Sequence, residues 1–347
     1  MNSEDVVAEH NMSKDVHSRL ASQSTVAIPS EGNQPSTADR PWLTVVMPIH
    51  RPARWLDDAL QSIVSQDEPV GAIEVIIRDS SPEGPLGESI ATKYASQLAI
   101  DYAHTPNIPS WTEKTNEMVR MAKADYICTL HQDDIWLRGR ASRARKLIAD
   151  NPKSALIFSP SRFIDPKGRD IGGWRPPFKA GKIPNDKFRE IMLVQCTIAI
   201  PSALIRRDAY LAVGGLDQTL WYTPDWNLWL DLASAGEVIF DPRIATGFRI
   251  HPDAQTIKGD RREFAEQLKV VFNRHVRSDD TTKEIGQASV MINVALSDAA
   301  SGNWKAAWRA ISVLAGLGPR KGWRYLHLSR LRERLLPRLR LRLSGGL

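Results

Sequence analysis

Between Trp42 and Trp136 the chain alternates short apolar runs with segments of helical spacing, and few folds accept that alternation. "LTVVMPI" (43–49) reads as a strand. "ARWLDDALQSIVSQ" sets Trp55, Leu56, Leu60 and Ile63/Val64 on one helical face, and "IEVIIRD" (73–79) is a second strand. "QLAIDYAH", "SWTEKTNEMVRMAKA" and "DYICTLHQDD" continue as strand, helix, strand. Single helices between strands mean parallel βαβ units, whose strands are covered on both faces and therefore read as continuous apolar runs. The expectation is an α/β fold: a Rossmann-like, mostly parallel sheet with helices on both faces.

Ligands of such sheets bind beyond the carboxyl ends of the strands. His50 follows the first run, Asp79 ends the second, and Asp133 and Asp134 follow the fourth. A buried strand tolerates no unpaired charge, so carboxylates at its end face solvent, a cation or a ligand. Each also has an ordinary structural use. Asp79 in "RDSSPEG" is a good turn former, and the Asp133-Asp134 pair would cap a helix opening at "IWLRGRASRARKLI". No glycine-rich phosphate loop accompanies them, which disfavours dinucleotide dehydrogenases and P-loop NTPases. Carboxylates handle phosphate through a divalent cation, so Mg²⁺ or Mn²⁺ and a nucleotide-diphosphate leaving group are implied.

The formal charge of +6 on 347 residues suggests nucleic acid until it is located. Residues 320–342 hold nine Lys/Arg and one Glu, or +8, which leaves −2 (6 − 8) for the rest. A basic groove for nucleic acid is therefore not expected in the body. Cys128 and Cys196 form neither a metal pattern nor a disulfide framework and read as buried thiols in a reducing compartment. With no secretory signal in "MNSEDVVAEHNMSKDVHSRL" and no run of 18 apolar residues, a cytoplasmic protein is expected.

"TVVMPIHRPARWLDDALQSIVSQ", "IEVIIRDSS", "YICTLHQDDIW", "VGGLDQTLWYTPDWNLWLDLASAG" and "GFRIHP" resemble, in this order, the successive motifs of the family 2 glycosyltransferases with the A-type (GT-A) fold. The resemblance spans residues 42–253, about 60% of the chain. It implies a nucleotide-sugar donor, a divalent cation, inversion at the anomeric carbon, and a saccharide or lipid-linked saccharide acceptor in polysaccharide or glycolipid synthesis. Carried over by position, Pro48, His50 and Arg51 meet the nucleotide, Asp79 reads the base or ribose, and Asn116 faces the donor. His131 and Gln132 also fall on the donor side, and Asp133 is the metal-binding second acid of the DxD signature. His251 takes the place of a metal or diphosphate histidine.

In an inverting transfer one carboxylate removes the acceptor proton. The resemblance puts Asp225 there, in "YTPDW", with Pro224 where the family carries Glu. Asp225 also reads as an N-cap, Asp231 as solvent-facing, and Asp217 is the nearest substitute base. Two departures stand out: His131 replaces the first acid of DxD, and Asp79 lacks its usual acidic neighbour.

Four zones result: a Ser/Pro-rich disordered tail at 1–40, a catalytic domain at 41–256, a helical extension at 257–318 and a basic Leu/Arg tail at 319–347. The last suits the surface of an anionic membrane or a solvated tail. A metal-dependent nucleotidyltransferase and a non-catalytic nucleotide-sugar-binding module are the other readings.

Overall fold

Twelve strands organise the described residues of the computed structural model, which are 40–52, 55–254 and 260–343. They are β1 (Leu43–Ile49), β2 (Ile73–Asp79), β3 (Ala99–His104), β4 (Tyr126–Thr129), β5 (Ile135–Trp136), β6 (Ser154–Phe158), β7 (Ser161–Ile164), β8 (Asp170–Trp174), β9 (Gly181–Ile183), β10 (Leu204–Arg206), β11 (Glu237–Phe240) and β12 (Thr246–Arg249). The helices are α1 (Trp55–Val64), α2 (Glu88–Tyr94), α3 (Trp111–Met121), α4 (Arg140–Asp150), α5 (Asn185–Val194), α6 (Arg207–Ala212) and α7 (Pro224–Ala235). They continue as α8 (Arg261–His275), α9 (Lys283–Ala300), α10 (Lys305–Gly316), α11 (Gly318–Ser329) and α12 (Leu331–Leu343). The 1–40 tail lies outside the described residues except for Arg40.

The main sheet has the order β3-β2-β1-β4-β10-β6-β11-β9. β1 is parallel to β2 and β4, β2 to β3 and β6 to β11, while β10 and β9 run antiparallel to their neighbours. Every residue of β1, β2 and β4 is buried, as expected of strands covered on both faces. Helix α1 seals one face with Trp55, Leu56, Ala59, Leu60 and Ile63, and α3 covers the other with Met118 and Val119. The parallel register, Leu43 opposite Ile73 through Ile49 opposite Asp79, brings both strands to one carboxyl edge together.

A second sheet, β5-β12-β7-β8, stands beside that edge. Its hinge is the segment after β4. The expected helix does not open at Asp133-Asp134: those residues lead into β5, and α4 starts at Arg140 behind Gly139, whose φ of 73° favours glycine. Pairing of β5 with β12 sets the residues after β12 beside the Asp133-Asp134 turn.

The C-terminal helices build on the same body. Tyr325, fully buried, shares a core with Ile191 and Val194 of α5 and with Ile285, Ala288 and Ile292 of α9. Arg189 of α5 forks onto Asp280 at 2.8 and 2.5 Å, tying the loop before α9 to α5. The basic tail is docked helix from 318 to 343. Pro337 of α12 packs on Gly172 (φ 154°), where a Cβ would lie 2.8 Å from the proline ring, and Leu341 joins Phe163 and Ile250. Among the described residues no helix is long and apolar enough to cross a membrane.

Candidate active site

The carboxyl edge gathers the loops after β1, β2 and β4. His50 is exposed, with Nδ1 3.1 Å from the Ser80 carbonyl and 3.2 Å from Ser80 Oγ. Gln132 holds the same residue by its backbone: Oε1 accepts the His50 N–H at 2.9 Å and Nε2 donates to the His50 carbonyl at 3.1 Å. Arg51, at φ 42°, donates its N–H to Ser81 Oγ (2.8 Å) and its guanidinium to Glu83 (2.7 Å). Pro48 is buried within β1, opposite Arg78.

Asp79 is fully buried and saturated. Oδ1 accepts Ser81 N–H (2.9 Å) and Ser81 Oγ–H (2.5 Å), and Oδ2 accepts Gly87 N–H (2.9 Å) and Tyr102 O–H (2.9 Å). Burial opposes its ionisation, yet these donors hold it below the usual carboxylate range, while burial and the Asp79 charge push the Tyr102 phenol up. Ser81 and Gly87 of the following loop and Tyr102 of β3 thus supply four hydrogen bonds to Asp79, which stands at the carboxyl edge where a nucleoside-reading acid is expected. Asn116 is also hydrogen-bonded within the body. Its amide donates to the Leu216 carbonyl (2.8 Å) and accepts Tyr210 O–H (2.5 Å) and Leu216 N–H (2.9 Å), which anchors the loop around Leu216. A Cβ on Gly215 (φ 74°) would meet the Asn116 amide at 2.5 Å, which makes glycine necessary in that loop.

Lys114, two residues before Asn116, is the polar group of α3 that reaches the edge, and sequence reasoning missed it. It is 1% exposed and donates to the Ile49 carbonyl and Ser80 Oγ, both at 2.6 Å. Burial drives it down to about 8 against the pull of Asp79. The signal was a lysine four residues before the core residue Met118, hence on the apolar face of α3.

Beside these lies an unsaturated group. His131, Asp133 and Asp134 each offer a ligand atom within 4.8 Å of the others. His131 Nε2 and Asp134 Oδ2 are buried without a hydrogen-bond partner. Asp133, one-quarter exposed, takes His251 Nε2 at 2.9 Å, while His251 Nδ1 is buried and unpartnered. Burial and the Asp133 charge push Asp134 well above the usual carboxylate range; burial lowers His131, against the Asp133 charge. Burial also opposes ionisation of Asp133, but the His251 hydrogen bond and the neighbouring imidazoles keep it low. A divalent cation supplies the charge this set lacks, and mixed carboxylate and imidazole donors fit Mn²⁺ well. His131, Asp133 and Asp134 therefore fit the expected metal, while His251, expected as a ligand, is hydrogen-bonded to Asp133 through Nε2.

Arg249, 2% exposed, shapes this turn. Its N–H meets Asp134 Oδ1 (2.9 Å), its Nε the Asp133 carbonyl (2.8 Å) and its Nη2 Asp58 of α1 (3.0 Å). It stood in the quoted "GFRIHP" without a role, because its partners lie more than 100 positions away. The Trp55 ring lies tilted against His251 with centroids 4.3 Å apart, and Trp111 meets His131 edge-on at 5.3 Å.

Trp111 links the cluster to the expected base. Its Nε1 donates to the Trp221 carbonyl (3.3 Å), on the loop that leads into α7 and Asp225. Asp225 is not the N-cap: Thr223 holds that position, and Asp225 lies in the first turn. Oδ1 accepts the Trp226 N–H (2.8 Å), and Oδ2 has Cys196 Sγ at 3.9 Å. Burial raises this carboxyl to about 6, the hydrogen bonds opposing. Cys196, expected buried, is partly exposed, whereas Cys128 is buried. Asp231, expected in solvent, is half-buried and accepts Asn227 Nδ2 at 2.7 Å. Asp217 is engaged by Thr219 and Arg274.

The family model described as "Glycosyl transferase family 2" matches residues 44–213, a stretch that includes the His131-Asp134 turn and ends before Asp225 and His251. An uncharacterised glycosyltransferase of Rickettsia typhi is 24% identical over 222 residues, covering 62% of this chain and 66% of the relative; one of Methanocaldococcus jannaschii is 24% identical over 196 residues, 55% and 64%. The chain thus matches just under two thirds of the length of these relatives. Among solved structures, S. aureus TarS 1–349 in complex with UDP-GlcNAc aligns at TM-score 0.59 and 14% identity, covering 78% of this chain and 79% of that one. The mannosyltransferase PcManGT of Pyrobaculum calidifontis, in complex with GDP-Man and Mn²⁺, aligns at 0.54 and 18%, covering 88% and 81%. These structural likenesses establish the fold. By the sequence matches, the chain is similar to glycosyl transferase family 2 over just under half of its length, and it has the GT-A fold of these structural neighbours.

Proposed function

We propose that this chain transfers a sugar from a nucleotide-diphosphate donor to an acceptor hydroxyl with inversion. The observation that carries the reading is the unsaturated His131, Asp133, Asp134 and His251 group at the carboxyl edge, tied through Trp111 to a raised carboxyl at Asp225. The neighbours named with UDP-GlcNAc and with GDP-Man and Mn²⁺ support a nucleotide sugar and a divalent cation, Mn²⁺ or Mg²⁺.

When bound by Asp133, Asp134 and the histidines, the cation neutralises charge on the departing diphosphate. Asp225, ionised above about pH 6, takes the acceptor proton on Oδ2, the oxygen not held by the Trp226 N–H. The acceptor oxygen bonds to the anomeric carbon on one face as the carbon–diphosphate bond breaks on the other. His50, Arg51 and Gln132 line the donor side next to the cluster; Pro48 supports them from within β1, and Lys114 fixes the Ile49–Ser80 junction beneath. The acceptor is a saccharide or lipid-linked saccharide, and the protein works at the inner face of the plasma membrane, held by the basic C-terminal region as a peripheral contact. The proposed division keeps 41–256 catalytic and 257–343 accessory.

Incubation with UDP- and GDP-sugars and Mn²⁺ tests this. Metal-dependent release of nucleoside diphosphate is expected. Release of pyrophosphate, or binding without turnover on every donor, would refute it in favour of a nucleotidyltransferase or a binding module.

A further inference from the structure

Tryptophan is rarely left in water, and this molecule leaves three there in one short region. Trp304, Trp308 and Trp323 are 66, 63 and 74% exposed, and Ile311 is 53% exposed. Trp304, Trp308 and Ile311 recur at i, i+4 and i+7 along α10, so they share one face of that helix. The opposite face, with Ala306, Ala310 and Leu317, is buried against the body. Trp323 and Leu326 stand on the exposed side of α11, which follows after a single residue, with Gly322 packed near Leu314. Residues 305–329, which span these two helices, hold five Lys/Arg and no acid, or +5, with Arg309 paired to Asp298 and Lys321 to Glu284.

We infer that Trp304, Trp308, Ile311 and Trp323 are the anchor by which this chain sits on an anionic bilayer. The inference rests on the peripheral-membrane reading above and places the anchor on α10 and on α11, the first helix of the basic tail, instead of on α12. The tail helix turns inward much of the side it would need: Pro337 and Leu341 are buried, Arg334 donates to Asn293 (2.8 Å), and Arg338 lies over the Phe163 ring. Indole rings favour the boundary between headgroups and acyl chains, and basic residues around them favour acidic headgroups. Charge decides between a bilayer and a second copy. Two such surfaces face to face would set Lys305, Arg320 and Arg324 against their own copies, whereas acidic lipids neutralise them.

The test is sedimentation of the full chain with phosphatidylcholine vesicles containing about one-third phosphatidylglycerol, and with phosphatidylcholine alone. The wild type should bind the acidic vesicles. The triple variant W304S/W308S/W323S should bind about 10³-fold more weakly, at roughly tenfold per tryptophan removed from the interface. Its melting temperature and its vesicle-free release of nucleoside diphosphate should equal the wild type's; the single variant W308R should show the same defect in smaller degree. A wild type that ignores acidic vesicles sinks the membrane reading itself. If the wild type and the triple variant bind equally, the anchor assignment alone is overturned. A wild-type dimer that the triple variant dissociates, with no vesicle binding by either protein, overturns the inference in favour of self-association.

Discussion

Asp79 and Asp133 leave the carboxyl ends of two parallel strands in one sheet, and they have opposite fates. Asp79 accepts four hydrogen bonds from its own loop and from Tyr102. Asp133 has His251 and a neighbouring carboxylate, with unpartnered imidazole and carboxylate atoms around it. A buried polar group with all its bonds made rigidifies the chain, while one left short awaits a ligand. Position at the edge is therefore not enough to identify a site residue; its remaining hydrogen-bond capacity decides.

The largest effect expected within this contrast is on Asp225, an unsaturated carboxylate assigned to chemistry. Asp225→Asn should cut transfer by about 10²-fold or more with donor and metal affinity unchanged, as single-turnover kinetics and binding titrations would show. Wild-type activity should also fall about tenfold per pH unit below about pH 6, where this carboxyl protonates. Retention of the wild-type rate would move the base elsewhere, Asp217 being the nearest acid upstream.

Asp79→Ala should act on the fold. It orphans Ser81 N–H, Gly87 N–H and Tyr102 O–H, costing about 2–4 kcal/mol and lowering the melting temperature by roughly 5 °C or more. Donor affinity of the folded fraction should hold. Loss of donor affinity with an unchanged melting temperature would restore Asp79 to the nucleotide site and break the comparison.

The parallel strands were legible because burial on both faces writes a continuous apolar run, and the C-terminal helices because their spacing is regular. The second sheet was not: its strands are two to five residues long, and β5 pairs with β12 across more than 100 positions. That pairing is what brings Arg249 and His251 to the Asp133-Asp134 turn. The hydrogen bonds of Asp79 and Asn116 were not legible for a related reason, since Tyr102, Tyr210 and Leu216 make them from elsewhere in the chain. Asp133 and His251 were legible as an ordered pair of motifs, whereas Lys114 announced itself only as a charge on an apolar helical face.

The smallest expected effect concerns stability and pH. Burial raises the Asp225 pKa in the folded chain, so the native state binds the extra proton, and this group's stabilising contribution is lost as pH rises from the ordinary carboxylate value through about 6. Melting curves of Asp225→Asn should lack that decline and lie at or slightly above wild type at pH 7. An identical pH profile in both proteins would mean that Asp225 titrates normally.

The central claim, that the open carboxylate holds a cation that the saturated one does not, is tested most directly by thermal shift with Mn²⁺ plus UDP or GDP. The wild type should melt several degrees higher with both present than with either alone, a gain that reflects ligand bound to the native state only. Asp133→Asn should lose that gain while keeping its ligand-free melting temperature within a few degrees of wild type. A full Mn²⁺-dependent gain in Asp133→Asn would contradict the account, because the cation would then sit somewhere other than the turn between β4 and β5.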